Sequence, residues 1–328
     1  MVKIDVKDKK ILYQLINNSR QPLSSISKKV GLSREVVNYR INRLEKEGII
    51  INYPTLLQLG LIGIFHARFY YNYQFMNPTI KNELIEFFKK SEVVEMIGEL
   101  EGSYDLKVTV YSESKSDPTI ALKFAAFYEE LQRKYRRYFD EQIGTFFTGS
   151  DIFDLIFLLE DKKLKPSFIK PLQNTNTVEI DNLDMNILRL LAGNARIPIV
   201  QLADELDVTI NTVKNRLKIL KDKNVFWKFT ALIDWSKIGY RQYDVEINLK
   251  DYNKIYDIIN YIRNNQHILF IMHSIGREVD LDFEFVLRDI THLQSIITDL
   301  SARFPESIKN FKYFSTLKIH KWSHIPFR

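Results

Sequence analysis

Between Thr209 and Lys223 the chain sets four lysines and one arginine against a single aspartate, with Asn211 and Asn215 among them. Ammonium and guanidinium groups neutralise phosphates and asparagine amides pair with base edges, so the chemistry this run offers is recognition of duplex nucleic acid. On a helix capped by Thr209 the outward positions are Asn211, Lys214, Asn215, Lys218 and Lys221. A second run, Ser33 to Glu47, offers Arg34, Asn38, Tyr39, Asn42 and Arg43, but Glu35, Glu45 and Glu47 leave it at only +1. Its surroundings supply the rest, through Lys3, Lys7, Lys9, Lys10, Lys28 and Lys29, so that residues 1–53 carry net +6. Arg40 and Arg216 each stand one position before a core residue, and a phosphate contact and a salt bridge to a neighbouring helix are both open to them. The plainer reading of both runs is a solvated helix face in a protein-interaction module.

Other chemistries find little support. There is no cysteine, which excludes disulfide frameworks, thiolate metal sites and cysteine nucleophiles. Neither a nucleotide-binding glycine loop nor a Ser-His-Asp arrangement is present, and no residue is assigned a catalytic role. His320 and His324 have the spacing that would put two imidazoles on one helix face, but the aromatic and proline-rich tail around them need not be helical. No metal and no cofactor is expected. Asp280, Asp282 and Glu284, on alternate positions, read as an exposed strand face. The 328 residues, 45% hydrophobic and 27% charged, suit a folded protein of several domains, and the net charge of +6 permits attraction to polyanions. With no apolar signal-like start and no run long enough to span a bilayer, the expectation is a cytoplasmic protein with no membrane partner.

These runs are positioned by elements that occur twice. Displacing the chain by 176 positions lays residues 4–63 on 180–239 without a gap and with 15 identities, among them Leu15/Leu191, Arg20/Arg196, Pro22/Pro198, Arg40/Arg216 and Gly63/Gly239. In each copy a carboxylate caps a first helix (Asp5, Asp181), proline precedes a second (Pro22, Pro198), and Ser33 or Thr209 caps a third. Gly31/Asp207 and Gly48/Asn224 exchange residues that tolerate left-handed turns. Ile49–Tyr53 and Val225–Phe229 read as strands of a wing. Beyond each module, hydrophobic alternation such as Tyr243, Val245, Ile247 and Leu249 predicts strands, and the order is β-α-β-β-α-β. One face of such a sheet lies under two helices and the other, carrying Phe, Tyr and Ile, calls for a partner.

The fold class is therefore α+β, with two winged helix-turn-helix modules each followed by a ferredoxin-like domain. The expected boundaries are 1–60 and 61–160 for the first half, 161–178 for a polar linker, and 179–237 and 238–328 for the second. The linker alone leaves the placement of the halves open: they pair within one chain as an internal pseudo-dimer or between chains as a homo-oligomer.

The repeated head Ile-Asp-x-x-Asp-x-x-Ile-Leu, the run Val37 to Ile50, the Ile-Gly at 62–63 and 238–239, and Gly102-Ser103-Tyr104-Asp105 together resemble the Lrp/AsnC family of prokaryotic transcription regulators, in a tandem form. That resemblance implies a sequence-specific regulator bound to double-stranded DNA through the two third helices. It also implies an effector, such as an amino acid, near Gly102, Ser103, Tyr104 and Asp105. The second half has Gly276-Arg277-Glu278-Val279-Asp280 at that place and lacks the Gly-x-Tyr-Asp spacing. Siroheme decarboxylases share this architecture and employ His and Arg near a tetrapyrrole, which gives His273 with Arg277 and Glu278 an alternative, enzymatic reading. An architectural, weakly selective DNA binder is the third.

Overall fold

The computed structural model describes residues 2–325 apart from 116, 162, 171–176, 277–278 and 323–324. The first half opens with helices α1 (Val6–Asn17), α2 (Leu23–Val30) and α3 (Arg34–Lys46), then two short strands, β1 (Ile50–Asn52) and β2 (Thr55–Leu57). The second repeats them as α6 (Asn182–Gly193), α7 (Ile199–Glu205), α8 (Ile210–Asp222), β8 (Phe226–Phe229) and β9 (Leu232–Ile233). Asp5 with Asp8 and Asp181 with Asp184 each close a reciprocal capping box, satisfying amides that the first helical turn leaves open. Gly31 and Asp207 turn left-handed between the second and third helices, at φ 70° and 52°, and Gly48 and Asn224 do so after the third, at 67° and 57°.

The wings depart from expectation. Each was read as local to its module, but β1 pairs antiparallel with β9 and β2 with β8, so each is built from both halves. Only Tyr53-Pro54 separates β1 from β2, and a proline with its fixed negative φ cannot make the two-residue hairpin that would fold them together. The strands run on and find partners across the molecule.

The sheet domains show the βαββαβ order in both halves. The first contains β3 (Ile64–Tyr73), α4 (Pro78–Lys90), β4 (Val94–Gly102), β5 (Leu106–Ser114), α5 (Ile120–Tyr135) and β6 (Phe139–Phe153). After β7 (Phe168–Ile169), which pairs with β6, the second contains β10 (Arg241–Leu249), α9 (Ile255–Ile262), β11 (Ile268–Ile275), β12 (Leu281–Leu287), α10 (Ile290–Arg303) and β13 (Ile308–Trp322). The last strand of each half is 15 residues long. Its beginning pairs within its own sheet and its end pairs with the other: β13 joins β10 to β4, and β6 joins β3 to β11. The result is one closed eight-stranded antiparallel barrel, which removes the open edges that two separate sheets would present. The partner for the uncovered sheet face is thus the other half of the same chain.

Helices cover the barrel from outside, over Leu84, Phe88 and Leu131 in the first half and over Ile258, Ile262 and Leu300 in the second. The expected linker is part of the structure, since Phe168–Ile169 form β7 and Val178 donates to the Leu61 carbonyl at 2.6 Å. Residues 171–176 lie outside the described set.

Inside the barrel lies a cluster of charged residues. Arg68 and Thr109 are register partners on β3 and β5, and so are Tyr70 and Lys107; the equivalent pairs on β10 and β12 are Asp244 with Glu284 and Glu246 with Asp282. Asp282 and Glu284, expected on a solvated face, are 2% and 4% exposed. An alternation of acid and apolar residues looks the same whether the acids meet water or another sheet. Lys107 Nζ lies 3.5 Å from Asp244, and the Tyr104 hydroxyl donates to Glu246 at 3.0 Å. Burial pulls the Lys107 ammonium down, but Asp244 and Glu284 outweigh it and hold the group cationic. Burial, reinforced by Asp244, pushes Glu284 up to about 8 from 4.5.

The sign of the resulting pH dependence follows. The folded chain keeps the Glu284 proton in a range where the unfolded chain has released it, so this stability is complete below the unfolded value and is lost as pH rises through about 8. Urea melts are expected to show a less stable chain at about pH 9 than at about pH 6.5, with Glu284→Gln shrinking the difference.

Candidate nucleic-acid interface

Each third helix is amphipathic, and its inward residues leave the opposite face to solvent. Val37, Ile41 and Leu44 are buried on α3, as are Val213 and Leu220 on α8. On α3 the structure exposes Arg34, Asn38, Tyr39 and Asn42, with Tyr39 69% exposed. On α8 it exposes Asn211, Lys214, Asn215, Lys218 and Lys221. These nine expected site residues share two open helical faces.

Five others have different surroundings. Ser33 and Thr209 are N-caps whose hydroxyl oxygens accept the Val36 and Thr212 amides at 3.3 and 3.1 Å. Arg40 bridges Asp5 and Asp8, both at 2.8 Å, and Arg43 reaches the other oxygen of Asp8 at 2.6 Å. Arg216 repeats this with Asp181 at 2.7 Å and Asp184 at 3.3 Å. The choice left open for Arg40 and Arg216 therefore falls on the salt bridge, and Arg43 joins them. Asp8 and Asp184 are almost wholly buried, and without a cation each would leave a costly uncompensated charge. The Asp184 amide above all, with Arg216 assisting against the pull of burial, holds Asp181 below the usual carboxylate range.

The supporting lysines of the first module are also partly committed. Lys7 donates to the Val30 carbonyl at the end of α2 at 2.6 Å, where a cation completes the helix terminus, and Lys9 pairs with Glu160 at 2.5 Å. Lys3 and Lys28 remain exposed. Sequence reasoning passed over two apolar residues in this surface, Val36 and Ile210, each 40% exposed in the first turn of its helix. A hydrophobic residue at an outward position was the available signal.

The modules are coupled by contacts that repeat under the 176-residue displacement. Arg20 donates to the Ala195 carbonyl, and Arg196 to that of Ser19. The Ser19 amide donates to Phe229 and the Ala195 amide to Tyr53, while Arg20 stacks over Phe229 and Arg196 over Tyr53. The arginine before each proline is thus a hinge-pin between modules, and the pseudo-twofold relation reaches individual hydrogen bonds.

The Gly102 loop closes the barrel seam. Gly102 has φ +122°, and a Cβ there would stand 2.7 Å from the Tyr313 carbonyl oxygen, which confines the position to glycine. Ser103 donates its hydroxyl to Tyr313, Tyr104 is buried, and Asp105 accepts the Tyr73 amide at 2.7 Å. Ser103, Tyr104 and Asp105, the expected effector residues, thus each have a hydrogen-bond partner within the chain. Of the other motif, His273 lies 3.2 Å from Asp151, which also binds Arg263, while Arg277 and Glu278 fall outside the described residues. His320 sits on a strand, 3.1 Å from Glu99, and His324 is likewise outside that set. Among the described residues no cluster of three or more His, Asp or Glu could hold a metal ion, and no helix is long and apolar enough to cross a membrane.

Comparison with known proteins agrees with the geometry. The winged helix-turn-helix DNA-binding family matches residues 4–51 and 180–226, one match per module. An uncharacterized HTH-type transcriptional regulator of Pyrococcus furiosus is 33% identical over 100 residues, which are 30% of this chain and 67% of the relative. The chain belongs to the HTH-type transcriptional regulators. A second relative, an uncharacterized HTH-type transcriptional regulator of Pyrococcus abyssi, is 26% identical over 40% of this chain and 86% of its own length. This HTH-type regulator, with its two modules, therefore carries in tandem the helix-turn-helix that those relatives match in part. Over its whole length it also shares the fold of a siroheme decarboxylase, with a TM-score of 0.62 and 12% identity across 98% of this chain and 94% of the other.

Proposed function

We propose that this HTH-type regulator is of the Lrp/AsnC type, a sequence-specific, non-enzymatic DNA-binding protein in which one chain acts as an internal pseudo-dimer, its two unlike modules reading two unlike half-sites. The observation that carries the reading is the exposure of both third-helix faces together with the closure of the barrel inside a single chain. Lys214, Lys218 and Lys221 supply affinity through phosphates, whereas Arg34, Asn38 and Asn42 on the nearly neutral α3 supply sequence choice. Tyr39, Val36 and Ile210 add apolar contact of the kind that recognises thymine methyl groups. Half-sites about one helical turn, or a multiple of it, apart suit such a pair.

Selection of bound sequences from a random DNA pool, with stoichiometry measured alongside, tests this. The expected result is an asymmetric site occupied by one chain. A footprint that covers random DNA equally well would turn the reading into that of an architectural binder, and a Soret band with substrate turnover on adding a porphyrin would turn it into that of an enzyme sharing the siroheme decarboxylase fold. Replacing Asn38 with Ala is expected to relax preference at one base position of one half-site, costing about 1–3 kcal/mol on the preferred sequence and little on others. Competition binding with single-base variants of the selected site measures it.

A further inference from the structure

One end of the barrel interior, beneath β2, β8 and β9, holds a cavity of about 210 Å³. Its floor includes Arg68, Lys107, Thr109 and Glu284, and its walls are mostly apolar, with all three tryptophans of the chain, Trp227, Trp235 and Trp322, standing in them. A dry cavity of about 150 Å³ accommodates benzene, so a ring with a short substituent fits this one.

The state of the polar groups says which substituent. The cations on or near the floor are engaged: Lys107 with Asp244, Lys228 with Asp154 at 3.5 Å, and Arg68 in the field of Asp282 and Asp244. His66 is likewise paired with Glu95, at 2.7 Å. Glu284 differs, being 4% exposed with an Oε1 that accepts no hydrogen bond among the described residues, and the buried Thr109 Oγ1 also has no partner there. Buried polar atoms in native proteins are overwhelmingly satisfied, so these two oxygens call for a donor; in the wall the buried indole nitrogen of Trp227 likewise has no hydrogen-bond partner among the described residues.

We propose that the cavity binds a small aromatic or apolar amine, its ammonium group donating to Glu284 and Thr109 and its body lying among the tryptophan rings. An ammonium ion has three donors and no acceptor, and aromatic walls favour it further through their negative ring faces. A carboxylate ligand would meet cations already engaged by the chain's own acids. Burial, with Asp244 beside it, keeps the proton on Glu284 at neutral pH against the pull of Lys107 and Arg68, and an incoming ammonium ion displaces that proton to solvent.

The three tryptophans make the test direct, and it contains no DNA, so its outcome is independent of the DNA-binding reading. The intact chain is titrated with 2-phenylethylamine and, separately, with 3-phenylpropionate, while intrinsic fluorescence is recorded. The amine is expected to produce a saturable change in the millimolar range or below, with calorimetry in buffers of different ionisation enthalpy showing release of about one proton. Glu284→Gln is expected to weaken the amine at least tenfold with the unliganded emission spectrum retained. Equal or tighter saturable binding of the propionate, or no saturation by either probe, overturns the proposal. Should Glu284→Gln fail to fold, the matched pair of probes on the unaltered chain still decides.

Discussion

Replacing Lys107 with Met is expected to destabilise the chain by about 3–5 kcal/mol, the cost of removing one partner from a buried ion pair. Lys107 is 4% exposed and Asp244 wholly buried, so the carboxylate loses its nearest cation when the ammonium group goes. Arg68 alone then faces Asp244, Asp282 and Glu284. The second substitution of a pair, Asp244→Leu in the Lys107→Met background, should recover much of the loss, because an apolar pair of similar volume no longer needs compensation. Denaturant melts of the two single variants and the double variant measure this as a cycle. Additive losses, with no recovery in the double variant, would show that the charges act independently.

The cycle also bears on why unlike halves pair. Register equates Arg68 with Asp244 and Lys107 with Asp282, so positions that correspond under the duplication carry opposite charge. Two first halves facing each other would oppose cations in a buried interior, and two second halves would oppose acids. The duplicated sheets are complementary to each other and not to themselves.

Alanine at both Lys214 and Lys218 is expected to lower affinity for any duplex by about tenfold or more at physiological salt and to reduce the slope of log affinity against log salt by about 2. Both side chains are exposed on α8, and neither takes part in the ion pairs that hold Arg216. Because phosphates are common to all sequences, the ranking of DNA sites should survive the loss. The corresponding pair of changes at Arg40 and Arg43 should instead lower the melting temperature, since their partner Asp8 would be left buried and unpaired. Anisotropy titrations at several salt concentrations, with thermal melts of the same proteins, separate the two behaviours. An unchanged salt slope in the α8 variant would remove that helix from the interface.

What could be read before the fold was known was chiefly local. The caps at Asp5 and Asp181, the left-handed turns at Gly31, Asp207, Gly48 and Asn224, and the inward faces of the helices each follow from residues within one or two turns. The exchanges between halves were not legible, because alternation along β1 or β6 specifies a strand and its buried face but not which strand lies beside it. The same holds for Arg40, whose partner Asp8 lies 32 residues away and whose spacing admits either a phosphate or a carboxylate. Charge inside the barrel was hidden for a related reason: Arg68 and Lys107 look ordinary until the acids of the other half are set against them.

Closure of the barrel by β6 and β13 within one polypeptide has a quantitative consequence for gene control. A regulator assembled from two separate subunits loses its active form as copy number falls, and its occupancy of an operator then varies with the square of protein abundance. Here the two modules are joined by first-order folding, so dilution does not separate them, and under the proposed one-chain reading occupancy is expected to follow abundance to the first power. Under the same reading, covalent linkage opposes exchange of halves with related regulators in the cell, and each molecule is expected to carry one fixed pair of specificities from synthesis to degradation.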